Sequence, residues 1–152
     1  MSVQHPSARI KPLGMVAPLT LAPGSSSTAW VSLGDVRAVM ALVMVGVIAA
    51  TGTVAARIEE SHGGDDAARN ANATDVEDAA ITVLVAGTDS NKAAAIDLTH
   101  ANVLESTTHV RLTITTAAAA SPVCGVVLGV DPRYAKTGAA GAMEALAEVV
   151  SL

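Results

Sequence analysis

Four histidines, His5, His62, His100 and His109, are the only imidazoles in the chain. No two of them stand at the HxxxH or HExxH spacing that puts a pair on one helix face around a divalent metal. Ser61-His62 beside Asp65 and Asp66 has the residue types of a hydrolytic triad. It lies in a polar run with two glycines and no strand-turn-helix elbow to fix nucleophile against base, so it reads as solvated loop. Asp65, Asp66, Asp75, Glu77 and Asp78 could offer hard oxygens to calcium, but the alternating carboxylates of an EF-hand loop are missing. The GAAGAM stretch at 138–143 lacks the strand-turn-Lys arrangement of a phosphate loop and reads as a hinge. Cys124, the single cysteine, excludes an internal disulfide framework and a multi-Cys zinc site. Its apolar surroundings predict a small buried hydrophobe rather than a nucleophile. Asn72-Ala73-Thr74 matches the glycosylation sequon but carries no weight without a secretory context. No catalytic, cofactor-binding or metal-binding residue is assigned, and the chain reads as non-enzymatic with no cofactor.

The composition points to architecture instead. The chain has 152 residues, enough for one domain and an arm or two. It is 51% hydrophobic yet holds no Phe, one Trp and one Tyr, so its apolar mass is Ala and Val. Such small side chains bury little area each, which predicts that partner surface completes the burial. Trp30 and Tyr134 flank the central region, and each ring is expected either to cap an end of the core or to anchor a partner. A net charge of -5 with no cationic stripe argues against nucleic acid as a partner.

Residues 1–29 carry Pro6, Pro12, Pro18 and Pro23, which remove backbone donors and exclude helix interior and central strand. The segment reads as an extended arm: either a frayed terminus or, through Arg9, Ile10, Lys11, Leu13 and Met15, an element that grips a partner. Nineteen uncharged residues between Arg37 and Arg57 reach the length of a membrane helix. Their Val content and the Thr51-Gly52-Thr53 break favour two strands in a hairpin: residues 35–48 apolar on both faces, a turn at 49–52, and a return over 53–60. A single-pass membrane protein through residues 38–56 is the alternative of a different class, and the hairpin reading implies no membrane partner.

Residues 61–80 read as a long exposed acidic loop, 81–86 as a short strand, 87–92 (GTDSNK) as a turn, and the region of Ile96, Leu98, Val103 and Leu104 as a strand or bent pair. Over 107–116, Val110, Leu112 and Ile114 alternate with His109, Arg111, Thr113 and Thr115, the period of a strand with one buried and one wet face. Residues 117–122 form a loop and 123–130 (VCGVVLGV) a last apolar strand. Strands separated by turn signals predict an all-β antiparallel β-sandwich over 30–135. Beyond it, Met143, Leu146, Ala147 and Val150 recur at helical spacing after a Gly/Ala hinge, so 136–152 is expected to end in a short amphipathic helix.

The segments GSSSTAWVSLGDVRAVMALVMVGVIAATGTVAARIEES, AITVLVAGTDSNKAAAIDL and THVRLTITTAAAASPVCGVVLGVDPRY, taken in order over about residues 25–134, resemble small virion structural proteins encoded among the capsid and tail genes of tailed bacteriophages. The resemblance implies a β-rich building block, made in the host cytoplasm, that decorates or cements the head shell. Its implied partners are the major capsid protein and copies of itself. A head-tail connector or tail position is the alternative within the same class.

Overall fold

The computed structural model describes residues 9–34 and 36–130. Among them, ten strands occur in chain order: β1 (Ile10–Leu21), β2 (Gly24–Ser27), β3 (Val31–Ser32), β4 (Ala38–Val45), β5 (Thr53–Ser61), β6 (Thr74–Ala80), β7 (Leu84–Val85), β8 (Ala93–Thr99), β9 (His109–Ala117) and β10 (Ser121–Val130). One short helix, α1 (Asp66–Ala71), lies between β5 and β6, and a 3-10 turn at His100–Asn102 follows β8. The first sheet runs β1-β10-β4-β8. The second runs β2-β9-β5-β6, with β3 added to β9 and β7 to β5. All pairings are antiparallel.

The pairing is nested. The first long strand meets the last (β1 with β10), β2 meets β9, β4 meets β8 and β5 meets β6. A chain folded back on itself in that way and wrapped into two four-stranded layers is an eight-stranded jelly roll, a form of the expected antiparallel sandwich. Between the layers, Val39, Val43, Val127 and Val123 from the first sheet face Val54, Ile58, Leu112 and Ile114 from the second. Ile58, Leu112 and Ile114 have no exposed surface, and burial of each side chain is worth about 1.5–3 kcal/mol. No aromatic ring of the described residues enters this core.

Several expectations change. Residues 35–60 do supply two strands, but not a hairpin: β4 belongs to the first sheet and β5 to the second. The turn between them, where Thr51 has φ +67° and the Gly52 amide donates to Ala49 O at 2.8 Å, carries the chain from one layer to the other. Because this run forms strands, it is not the membrane helix of the alternative reading. Among the described residues no helix is long and apolar enough to cross a membrane.

The segment read as an arm outside the sandwich supplies two of its strands. Pro12 and Pro18 are tolerated because β1 is an edge strand, and its register shifts fall between Pro12 and Gly14 and between Val16 and Leu19, where the prolines sit. Residues 61–80 are only partly loop. Asp65 caps α1 by accepting from the Ala68 amide at 2.8 Å, and β6 pairs with β5 across a bulge at which Asp78 takes φ +59°. That bulge breaks the alternation and hides the strand in the sequence. The strand expected at 81–86 shrinks to β7, while the turn at 87–92 forms, held by Asp89 Oδ2 accepting from the Val85 amide at 3.0 Å. The expected C-terminal helix and Tyr134 lie outside the described residues.

Candidate docking face

The two outer faces of the sandwich differ in kind. In a strand, alternate residues point to opposite faces, so the inward rows fix the outward ones. On the first sheet, inward Val39, Ala41, Val43 and Val45 leave Ala38, Met40, Leu42 and Met44 outside on β4. Inward Val123, Gly125 and Val127 leave Cys124, Val126, Leu128 and Val130 outside on β10. The register aligns them: Cys124 opposite Met44, Val126 opposite Leu42, Leu128 opposite Met40, Val130 opposite Ala38. On the flanking strands, β1 brings Met15 beside Val126 and Ile10 beside Val130, and β8 brings Ala95 beside Leu42 and Ala93 beside Met44. Met15 is 49% exposed and Met44 39%. At one end the face opens into a depression of about 500 Å³ between Leu19, Met44, Pro122 and Cys124. The two central strands place no charged residue on this face.

The outer face of the second sheet is polar and internally paired. Ser25 and Thr115 hydroxyls meet at 2.8 Å, as do those of Ser27 and Thr113. Glu59, almost fully buried, accepts from Arg111 Nε at 2.6 Å, from Arg57 Nη2 at 2.8 Å and from the Thr113 hydroxyl at 3.1 Å. Burial would push the Glu59 carboxyl up, but the Arg111 hydrogen bond and charge, with Thr113 and Arg57, hold it below the ordinary carboxylate range. A carboxylate so neutralised stays ionised and is unsuited to passing protons. Arg57 also meets Asp75 at 2.7 Å; its burial is outweighed by Glu59 and Asp75, and its pKa is raised.

Trp30 belongs to this second face. Arg111 lies over its ring and its Nε1 donates to Asn70 Oδ1 at 3.0 Å, so it neither caps the core nor joins Ile10 and Met15. Of the remaining sequence-assigned partner residues, Leu13 packs inward against the core, Lys11 is half-buried on β1 and Arg9 is exposed just before it. The structure therefore gathers only Ile10 and Met15 onto the apolar face. Sequence reading missed most of that face, although the description of 35–48 as apolar on both sides was its signal: strands covered on both sides read as continuous apolar runs.

The residues that suggested chemistry are dispersed or engaged in structure. The Ser61 hydroxyl donates to Arg69 O at 2.8 Å, and His62 is exposed beside it. Among the described residues no three His, Cys, Asp or Glu side chains are placed to hold a metal. Cys124 is half-buried on the apolar outer face instead of inside the core.

No protein-family model and no curated protein matches this chain. Among solved structures, a chain of Desmodium yellow mottle tymovirus is similar at 11% identity and a TM-score of 0.44, over 88% of this chain and 93% of that one. A likeness of that size carries no functional argument, and the reading below rests on the surfaces of this chain.

Proposed function

We propose that this chain is a non-enzymatic structural protein of a virion, which cements or decorates a capsid shell by binding the major capsid protein and copies of itself. The observation that supports the reading is the apolar outer face of the first sheet. A sheet apolar on both sides persists in water only when both sides are covered, and contiguous exposed apolar area of this kind marks a protein contact. The opposite face, with its hydroxyl pairs and the Glu59 network, is satisfied without a partner and suits exposure to solvent. One side is built for assembly and the other for water.

The jelly roll is compatible with this role, since viral shells use it, but lectins and cupins use it too, so the architecture alone assigns nothing. The N-terminal segment that leads into β1 is the element proposed to grip the major capsid protein. Co-sedimentation of the full chain with shells of the particle whose genome encodes it tests the proposal. Saturable binding at a fixed number of copies per capsid subunit is expected, weakened when residues 1–8 are removed and β1 is left whole. Absence of the protein from the shell pellet, or its recovery with tails or connectors only, overturns the decoration role.

A further inference from the structure

We infer that the free edge of β8 receives an extended, basic segment of a partner protein, which adds to the first sheet as a further strand. This site is separate from the apolar outer face, and the inference does not rest on the virion reading.

The two sheets end in β1, β8, β2 and β6, and β8 alone of these is left regular. β1 carries Pro12 and Pro18 and shifts its register beside each. β2 is only four residues long, and β6 pairs with β5 through a bulge. Natural sheets blunt their edges in these ways because a row of unpaired backbone groups templates another strand. β8 has no such device: its seven residues pair with β4 without a shift, and none of them is Pro, Gly or Lys.

The phase of the hydrogen bonds shows what this edge presents. Lys92 O accepts from the Val45 amide at 3.0 Å, so Lys92 turns towards β4, and alternation turns Ala94, Ile96 and Leu98 the same way. The Gly46 amide donates to Pro122 O at 2.9 Å, which commits Gly46, and with it Met44, Leu42 and Met40, to β10. Ala93, Ala95 and Asp97, which stand opposite those three methionine and leucine residues, therefore aim their amides and carbonyls away from the sheet. The Thr99 amide has the same phase and is closed off by donating to Asn102 Oδ1 at 3.0 Å. Among the described residues no element pairs with the backbone of Ala93, Ala95 and Asp97 on that side. An added antiparallel strand exchanges two bonds with each of them, about six in all.

Charge selects the occupant. Asp97 lies on this edge, and Glu77 and Asp78 are exposed on β6, the neighbouring edge of the second sheet. Among the described residues no ion pair engages these carboxylates, whereas Arg57 is held by Glu59 and Asp75 and Lys92 by Asp89. Arg37 stands past the end of the row, since Ala38 after it is already opposite Thr99. A second copy added edge to edge would set these carboxylates against their own counterparts, and like charges oppose that approach. A strand with Lys or Arg at alternate positions meets them favourably instead. Directly opposite residues share a face, so its basic side chains lay their stems over the Ala93 and Ala95 methyls and bring their heads to Asp97. The residues between them point to the mouth of the sandwich beside buried Ile96 and Leu98, a place that suits Val.

The test uses a fluorescent peptide of alternating Val and Lys, as long as β8, added to the full chain. Fluorescence anisotropy should show saturable one-to-one binding that weakens with salt, and a Val/Glu peptide should bind at least about tenfold more weakly. Backbone N-methylation of the Val/Lys peptide should abolish binding, because it removes the strand's donors and keeps its charge. Ala95→Pro should also abolish it and leave the fold intact, since that amide serves no bond of the sheet. Asp97→Lys should weaken the Val/Lys peptide about fivefold and strengthen the Val/Glu one, an exchange that loss of folding would not produce. Equal binding of the N-methylated peptide, or of the Val/Glu peptide, overturns the inference, as does the absence of binding. A wild-type dimer that Ala95→Pro converts to monomer overturns it in favour of a second copy. Shell co-sedimentation is a separate measurement, so failure here and failure of the virion reading are distinguishable.

Discussion

The guanidinium of Arg111 lies 4.4 Å from the centroid of the Trp30 ring while its Nε donates to Glu59 Oε2 at 2.6 Å. One side chain thereby joins the strand β9, the segment that enters β3 and the central strand β5. Asn70, the next-to-last residue of α1, completes the group by accepting from both Arg111 Nη1 at 2.6 Å and Trp30 Nε1 at 3.0 Å. The only aromatic ring among the described residues is thus used to close a polar surface rather than to fill the core, which leaves the interior to Val, Ile and Leu.

Removing Arg111 leaves the buried Glu59 carboxylate with Arg57 and Thr113 alone. Hydrogen bonds to a charged group contribute about 1.5–3 kcal/mol, and an uncompensated buried charge costs more. Arg111→Ala is therefore expected to lower unfolding stability by about 2–3 kcal/mol. Arg111→Lys should fall between, because it keeps the charge and loses the planar fork that serves Glu59 and Asn70 together. Urea denaturation checks this: the midpoint should drop with an unchanged slope, and an Arg111→Ala midpoint equal to the wild type would show the network to be idle.

Acid should unfold the protein in two stages. The His109 pKa is lowered, first by burial and then by Arg69, so the unfolded chain takes the proton earlier, and stability declines as pH falls below the ordinary histidine value of about 6.5. The Glu59 pKa is lowered too, so its contribution is complete above the ordinary glutamate value of about 4.3 and is lost as pH falls through the folded value. Urea midpoints measured from neutral to acid pH should show both declines. His109→Gln should remove the upper one alone, and Glu59→Gln should remove the lower one at the cost of reduced stability at neutral pH. A wild-type midpoint independent of pH between about 7 and about 3.5 would contradict both assignments.

What the sequence discloses here follows from the range of each signal. The alternation of Val110, Leu112 and Ile114 is local, and it marks β9 without reference to any other strand. The apolar runs of β4 and β10 are equally legible. Pairing is not local. Nothing near Ile10 records that it lies beside Val130, and the prolines of β1 argue for an arm until an edge position is known. The same holds for the contact of Trp30 with Arg111, which exists only because β3 adds to β9 with Val31 opposite Val110. The docking face was half legible: residues 38–45 announce two apolar sides, but only the register with β10 and β8 turns that row into a surface.

Close packing between the layers sets the last expectation. Gly129 faces inward on β10, and a Cβ placed there would stand 2.5 Å from Val36 Cγ1 and 3.0 Å from Leu13 Cδ1. Val36 is fully buried and β-branched, so its side chain has little rotamer freedom with which to give way, and β1 would have to move outward to release Leu13. Gly129→Ala is expected to cost about 1–3 kcal/mol, the range for overfilling a packed core. Gly64, exposed and with nothing within 4 Å of an added methyl, is the matched control, and Gly64→Ala should leave stability unchanged or slightly raised because it restricts only the unfolded chain. Thermal melts of the two variants side by side separate the packing cost from the general effect of replacing glycine. If Gly129→Ala melts with the wild type, β1 is not pressed against β10 through Leu13, and the edge strand is looser than the nested pairing requires.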